Sequence, residues 1–483
     1  MSRARRTPIA THDIRRVFVA NRGEIAVRVI RACRSLGMES VIGVSEADTG
    51  TLGTEMADAC VVIGPPSASD SYLCADKIVA AALAANCDAI HPGYGFLSER
   101  ASFATACRDA GIVFIGPSPE AIAAMGDKIR AVSLAEKAGV ARVPGSGALK
   151  DLAQAAQQAA DIGYPVLIKA SAGGGGRGMR VVRAADEVDA QFRSAASEAQ
   201  SAFGDPTLYL ETFIERARHI EIQVMADAHG HVVHVGDREC STQRRHQKLI
   251  EEAPAPLLPA ATRLAMGECA VRLARQAAYC GAGTVEFVVD ERDGRFYFLE
   301  MNTRIQVEHP VSEMVTGIDL VAEQIRIACG LPLSFTQSQV QTQGHAIECR
   351  INAEDPTHGF RPSPGLISRW EVPAGEGIRF DSHAFAGYTV PPYYDSLIGK
   401  LIVHAGTRAL AIVRMQQALR ALRVGGIATT VPFHQAVMAH DDFLGARVTT
   451  RWVEETFLPQ GHIDARAAVA EVAPGGQSAE VSA

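Results

Sequence analysis

The sequence predicts an α/β domain followed by α+β architecture, and three patterns carry that prediction. Apolar strands alternate with helical stretches over residues 13–116, a glycine run interrupts a smaller second unit at 173–178, and from about Ile214 the chain turns strand-rich. A chain of 483 residues suits about three domains. With 47% hydrophobic and 21% charged residues, it can bury a sizeable core. Lys and Arg number 47 against 54 Asp and Glu, a net −7. That balance argues against general nucleic-acid or anionic-membrane binding and leaves room for a local basic pocket. Ten cysteines are dispersed without a C-x-x-C pair, so neither a zinc ribbon nor a redox pair is supported, and reduced thiols in the cytoplasm are expected. No stretch of 18 apolar residues occurs, so no transmembrane helix is expected. Residues 1–16 carry five arginines but no apolar signal core, which excludes an ordinary secretory signal. Residues 1–13 and 460–483 are expected to be flexible tails.

In chain order, Val17–Ala20 reads as a strand, Asn21-Arg22-Gly23-Glu24 as a tight loop, and Ile25–Leu36 as a helix closed by Gly37. Strands at Val41–Val44, Ala89-Ile90 and Val113–Ile115, with a helix at Asp76–Ala84, complete a parallel, doubly wound sheet over 14–116. The G-x-G-x-x-G fingerprint is missing after the first strand, which disfavours a nicotinamide dehydrogenase. Ser118-Pro119 marks a helix start, and a helical linker spans 117–142 with a break near Gly126. A new unit begins at Val143-Pro144-Gly145 and runs to 213, with strands at Pro165–Lys169 and Met179–Val182 and helices near 150–161 and 186–201. Alternating patterns at 219–226, 231–236, 284–290 and 295–301 predict the strands of the last unit, 214–459.

Three clusters carry chemistry. Five glycines in the six positions 173–178 cannot pack as a strand or helix. They offer exposed N–H groups for a polyphosphate, and Lys169 at the end of the preceding apolar strand favours that reading over a surface hairpin. The turn Glu291–Gly294 predicts a hairpin whose register sets Glu286 opposite Glu300. Like charges so placed destabilise; a hard divalent cation reverses the sign, and two carboxylates with the Asn302 carbonyl suit magnesium. Downstream, Pro310 biases His309 away from the helical region, which predicts an extended segment with Asn302, Arg304, Gln306 and Glu308 on one face. Arg304 there can bind a small oxyanion in bidentate fashion, and Glu308 can act as a base. The third cluster, Arg238–Lys248, reads in isolation as a solvated charged loop, with Cys240 packed and not nucleophilic.

Together, Asn21–Glu24, His91-Pro92-Gly93-Tyr94-Gly95-Phe96-Leu97-Ser98-Glu99, the glycine run, Gln243–Lys248 and Glu300–Pro310 resemble biotin carboxylase. That is the ATP-grasp component of acetyl-CoA carboxylase and related acyl-CoA carboxylases. The resemblance covers about 14–459 and implies an ATP-grasp fold with an N-terminal Rossmann-like preATP-grasp domain, a mobile lid at about 143–213, and a C-terminal biotin carboxylase domain. It implies ATP-dependent carboxylation of biotin by bicarbonate, with magnesium as the metal and manganese as a substitute. Carried over residue by residue, Lys128 and Lys169 contact ATP phosphates beneath Gly175 and Gly176 of the lid. Glu211 and Ile214 lie at the adenine edge, and His219, Gln243 and His246 lie around ribose and phosphates. Glu286, Glu300 and Asn302 hold the metal; Lys248, Arg304 and the Val307 backbone hold bicarbonate. Glu308 is the base that deprotonates bicarbonate, and Arg350 stabilises the biotin enolate. Ala172 and Thr212 stand where many relatives have Gly and Lys. No Met-Lys-Met attachment motif occurs, so the biotin carboxyl carrier protein and the carboxyltransferase are expected on separate chains. A homodimer is expected from the resemblance, and the alternative activity is another ATP-grasp ligase joining a carboxylate to an amine.

Overall fold

The computed structural model describes residues 11–171 and 178–463, the Ile129 side chain excepted. Gly175 and Gly176 lie outside the described residues, as do positions 1–10 and 464–483 of the expected tails. His12, within the expected N-terminal tail, donates its N–H to the Cys329 carbonyl at 3.0 Å.

Five parallel strands form the first sheet, in the order Ala59–Gly64, Glu39–Ser45, Arg16–Val19, Ala89–His91, Val113–Phe114. The doubly wound expectation holds, and the added elements include the Ala59–Gly64 strand and the helices Leu52–Met56 and Ala101–Asp109. The strand sits at a sheet edge half exposed, and its Cys-Val-Val-Ile run shows no polar alternation to mark it. Strand order reverses between Arg16–Val19 and Ala89–His91, the topological switch point where open α/β sheets bind ligands. The loops leaving those two strands are locked together there. Asn21 donates through Nδ2 to the carbonyls of Pro92 (2.7 Å) and Tyr94 (2.8 Å). Gly93 has φ +62°, and a Cβ at that position would lie 2.8 Å from Asn21 Nδ2. Only glycine combines that backbone with that approach.

Helices Pro119–Gly126 and Lys128–Lys137 form the linker, broken where expected, with Ser118 Oγ accepting from Ala121 N–H at 3.2 Å. The next unit is a three-stranded antiparallel sheet in the order Arg180–Val182, Val166–Ala170, Leu208–Thr212. Helices Leu152–Ile162 and Val188–Phe203 cover it, and Val166, Ile168, Leu208 and Leu210 lie in its own apolar core.

The largest sheet has eight antiparallel strands: Phe296–Asn302, Gly281–Asp290, Ala217–Ala226, Val232–Arg244, Gln247–Ala253, His345–Asn352, Leu397–Ala405 and Ile378–Ser382, in spatial order. One face is apolar. Ile220, Ile222 and Val224 pack on the helix Ala260–Gln276, while Ile347, Cys349 and Leu401 join the cluster around the helix Arg408–Ala421. The other face is charged yet buried. Glu300 stands opposite Glu286, Glu286 opposite Glu221, and Glu221 opposite Arg238. Farther across, Glu251 faces Glu348, Arg350 faces Lys400, and Lys400 faces Asp381. Buried ion pairs join the first domain to this face: Arg28–Glu313 at 2.8 Å and Lys400–Glu24 at 3.0 Å. No helix among the described residues is long and apolar enough to cross a membrane.

Candidate active site

A cleft of about 1780 Å³ runs between the small sheet and the charged face of the large one, closed at one end by Tyr94 and the 390–397 loop. Lys128, Lys169, Glu211, Ile214, His219, Gln243, His246, Lys248, Glu286, Glu300, Asn302, Arg304, Val307 and Arg350 all line it. Glu308 lies fully buried behind Lys248 and Arg350.

At the small-sheet end, Lys169 donates to Glu211 Oε2 at 2.7 Å, a diagonal pair on adjacent strands. Burial opposes the charge on Lys169, but Glu211 and Tyr209 hold its ammonium above its usual value. Lys128 opens the helix Lys128–Lys137. Burial and the like charge of Lys169 lower its ammonium. Two cations converging on one wall make a receptor for a polyanion.

The floor is the hairpin 281–302. Glu286 and Glu300 face each other as expected, with Gly294 at φ +72°; a β-bulge between Glu286 and Phe287 shifts the register set nearer the turn. Glu286 is buried and saturated: Lys248 Nζ (2.8 Å), Asn302 Nδ2 (2.9 Å) and Gln306 Nε2 (3.1 Å) donate to Oε1, and His219 Nε2 lies 2.9 Å from Oε2. Burial would raise its carboxyl, yet Lys248 and His219 hold it far below the usual range. Glu300 is open to the cleft, and its surroundings and the Glu286 charge raise it. Two carboxylates and the Asn302 amide on one hairpin end are an oxygen donor set, and a divalent cation would add to Lys248 and His219 in offsetting the Glu286–Glu300 repulsion. The residues fit a magnesium-type ion. Two other carboxylate-rich groups, around His219–Glu221–Glu286 and Glu221–Cys240–Glu308, already have their cation in Lys248.

The deep end is an interlocked set of charges. Lys248 Nζ donates to Glu308 Oε1 (2.7 Å), Glu221 Oε2 (2.6 Å) and Glu286 Oε1 (2.8 Å). Arg350 donates from Nη2 to Glu308 Oε2 (3.0 Å) and from Nε to Glu251 Oε1 (2.6 Å). Arg238, fully buried, pairs with Glu221 and donates to Gln223 (2.8 Å), Ser312 (2.9 Å) and Thr284 (3.1 Å). Burial alone would raise Glu308, but Lys248, Arg350 and Arg238 hold it well below the carboxylate range. Cys240 sits 4.0 Å from Glu308 with its thiol pushed well up by burial, packed and unreactive as expected.

Two expectations are corrected. Residues 303–308 are not extended: the chain turns, Glu308 caps the helix His309–Thr316, and Pro310 sits in its first turn. A helix tolerates proline there because that N–H has no intrahelical partner. The expected convergence survives through the turn instead, since Arg304 donates to Gln306 Oε1 (2.7 Å) and Asn302 Oδ1 (3.3 Å). The Arg238–Lys248 cluster is not a solvated loop but two strands closed by Arg245 and His246 at positive φ. Arg238, Glu239 and Lys248 point into the buried face and find partners there, while Arg245 and His246 at the turn are exposed. Sequence reasoning assigned no role to Glu99, Glu221, Arg238, Glu251 or Lys400. Glu99 accepts from Arg304 Nε at 2.9 Å, and Lys400 donates to the Val307 carbonyl at 2.7 Å. The signal was available in Lys400, a lone charge within the apolar run Leu397–Val403.

Comparison with known proteins adds three domain matches in order: biotin carboxylase N-terminal domain over 13–122, carbamoyl-phosphate synthase L chain ATP-binding domain over 127–336, and biotin carboxylase C-terminal domain over 348–455. Biotin carboxylase of a Nostoc species is 56% identical over 441 residues, 91% of this chain and 98% of that protein. Biotin carboxylase 1 of Bacillus subtilis is 51% identical over 442 residues, again 91% and 98%. The biotin carboxylase domain dimer of Hydrogenobacter thermophilus 2-oxoglutarate carboxylase, solved with MgADP, ADP and bicarbonate, superposes with TM-score 0.87 at 48% identity, covering 93% of this chain and 99% of that one. A Campylobacter jejuni biotin carboxylase complex gives TM-score 0.88 at 49% identity, covering 91% and 98%. On the identity, the coverage and the matching order of domains, the chain belongs to the biotin carboxylase family of ATP-grasp ligases.

Proposed function

We propose that this chain carboxylates N1 of biotin on a carrier protein, using ATP and bicarbonate, as the first half-reaction of an acyl-CoA or related carboxylase. The observation that carries the reading is the single cleft with Lys128 and Lys169 at one end and Glu308 between Lys248 and Arg350 at the other. Lys128 and Lys169 bind the triphosphate, Glu211 and Ile214 border the adenine, and His219, Gln243 and His246 flank the ribose and phosphates. Glu286, Glu300 and Asn302 would hold magnesium, which supplies charge neutralisation on the phosphates when bound. Lys248, Arg304 and the Val307 backbone hold bicarbonate.

Glu308 removes the bicarbonate proton as the anion attacks the γ-phosphate, breaking its bond to the β,γ-bridging oxygen, so that ADP leaves and carboxyphosphate forms. Its depressed basicity does not forbid this. A bound anion competes for Lys248 and Arg350, and each contact it takes returns basicity to Glu308. Arg350 then stands where negative charge develops on the ureido oxygen of biotin. Carboxyphosphate hydrolyses readily, so closure of the 143–213 unit over the cleft serves to exclude water.

The division into 14–116, 117–142, 143–213 and 214–459 belongs to this reading, as do a cytoplasmic site of action and a homodimer, the state named for the Hydrogenobacter protein. Carrier and transferase sit on other chains; a relative named as one part of a larger enzyme, the small subunit of Hydrogenobacter thermophilus 2-oxoglutarate carboxylase, supports this. The test is ATP cleavage by the purified chain. Cleavage that needs bicarbonate and rises with free biotin is expected. Release of phosphate that needs an amine and ignores biotin would replace this reading with a carboxylate–amine ligase.

A further inference from the structure

Two acidic side chains behind Arg350 have no part in the scheme above. Glu251 and Glu348 stand directly opposite on adjacent antiparallel strands, and both are fully buried. Glu251 Oε1 accepts from Arg350, whereas Glu251 Oε2 and both oxygens of Glu348 have no hydrogen-bond partner. Two ionised carboxylates at that spacing repel, and buried unpaired charge is far costlier than a neutral acid. Facing carboxyls under such constraint share one proton.

The surrounding charges decide which one carries it. Arg350 and Lys248 face Glu251, with Glu308 and Cys240 near it; Lys400, Arg350 and Glu308 face Glu348; Cys349 borders both. His309, from the overlying helix, is held neutral by burial and by Lys400 and Arg28. Arg350 touches Glu251 alone of the two, so Glu251 is the natural anion and Glu348 the natural acid.

We propose that Glu251 is the positioning residue of Arg350, kept anionic by an O–H donated from a protonated Glu348 to its free Oε2. Burial pushes the Glu348 carboxyl well above its usual value, with Lys400 opposing and Glu251 adding to the rise. Burial also pushes Glu251 up, to about 7, against the pull of Arg350. The arrangement separates two tasks. Arg350 is shared between Glu308 and Glu251, and Glu308 weakens its hold when it takes the bicarbonate proton. Glu251 does not, so the guanidinium stays oriented when biotin needs it. Below about pH 7 Glu251 takes a proton of its own and that anchor is lost. The biotin-dependent step then fails on the acid side, while ATP cleavage without biotin does not share that limb.

This inference rests on the function proposed above, and the experiment separates the two. Turnover of the full-length chain is measured from pH 5.5 to 9 with ATP and bicarbonate, with and without free biotin. E251Q is expected to lose biotin-dependent kcat about thirtyfold or more, keep KM for ATP within about twofold, and lose the acid limb near neutrality. E348Q, whose amide can still donate to Glu251, is expected to stay within about threefold of the parent with the limb intact. Parent-like turnover and pH profile in E251Q would overturn the proposal, as would a loss in E348Q equal to that in E251Q. If E251Q does not fold, as judged by ATP-induced thermal shift, E348Q decides by the same criteria. A parent enzyme indifferent to biotin would refute the functional reading instead.

Discussion

The cleft has two ends made on different plans. At the deep end, half-buried Lys248 and Arg350 and fully buried Glu308 belong to a single sheet face and its covering helix, and Lys248 donates to three carboxylates. At the other end, Lys128, Lys169 and Glu300 come from a linker helix, the small sheet and the floor hairpin, and Glu300 is open to the cavity. The deep end holds its charges in place before any substrate arrives, which is how electrostatic stabilisation avoids reorganisation during reaction. The shallow end is assembled from separate bodies, so its geometry depends on how they close. Damage at the first should strike kcat and folding together, and damage at the second should strike KM.

The sharpest way to break that contrast is Glu308→Gln, which keeps shape and removes the base. Bicarbonate-dependent ATP cleavage should fall about 10²–10⁴-fold in kcat; a loss under about tenfold would remove Glu308 from the deep end's chemistry. Next, Lys248→Met removes the cation shared by the Glu221, Glu286 and Glu308 carboxylates and leaves them only Arg238, His219 and Arg350. Breaking a buried network in this way costs about 3–5 kcal/mol, read as a fall in urea midpoint; an unchanged midpoint would mean the set is not held by its charges. Lys169→Gln should raise KM for ATP about ten- to a hundredfold, some 1.4–2.8 kcal/mol, with the urea midpoint unmoved. A kcat loss without a KM change would erase the distinction between the ends.

The smallest effect per group concerns pH. His434 Nε2 lies 2.7 Å from the Arg350 carbonyl and backs the deep end, while His91 Nδ1, in the first sheet, accepts from Gly93 N–H. Burial depresses both imidazoles from 6.5, to about 4 for His434 and about 3 for His91. The unfolded chain takes these protons first, so stability is full above 6.5 and declines as pH falls toward the folded values. By pH 5.5 each histidine should cost about 1.4 kcal/mol, seen as a lower Tm that His434→Gln partly relieves.

Much of this was legible in the residues. The hairpin itself follows from the turn residues at 291–294, though a β-bulge beside Glu286 brings Glu300 opposite it, and the Ser118-Pro119 helix start follows from capping chemistry. The turn at 303–308 was not, because Pro310 reads equally as an extended-chain signal and as a first-turn residue. Arg238 and its neighbours misled for a different reason. A run dense in charge ordinarily marks a solvated surface, and groups well separated in sequence, such as Glu286 and Glu308 against Lys248, supply counter-charges that bury it. The Arg350–Glu251–Glu348 arrangement depends likewise on pairing across about a hundred positions, which no local pattern encodes.

The charged face of the large sheet also constrains how this chain can change over evolutionary time. Because Lys248, Glu221 and Arg350 each serve more than one neighbour, a substitution tolerable in one background strands a different partner in another. Effects in such a mesh are non-additive, so permitted histories there run through compensating pairs, and ancestral single replacements grafted into this sequence should read as lethal where they were once silent.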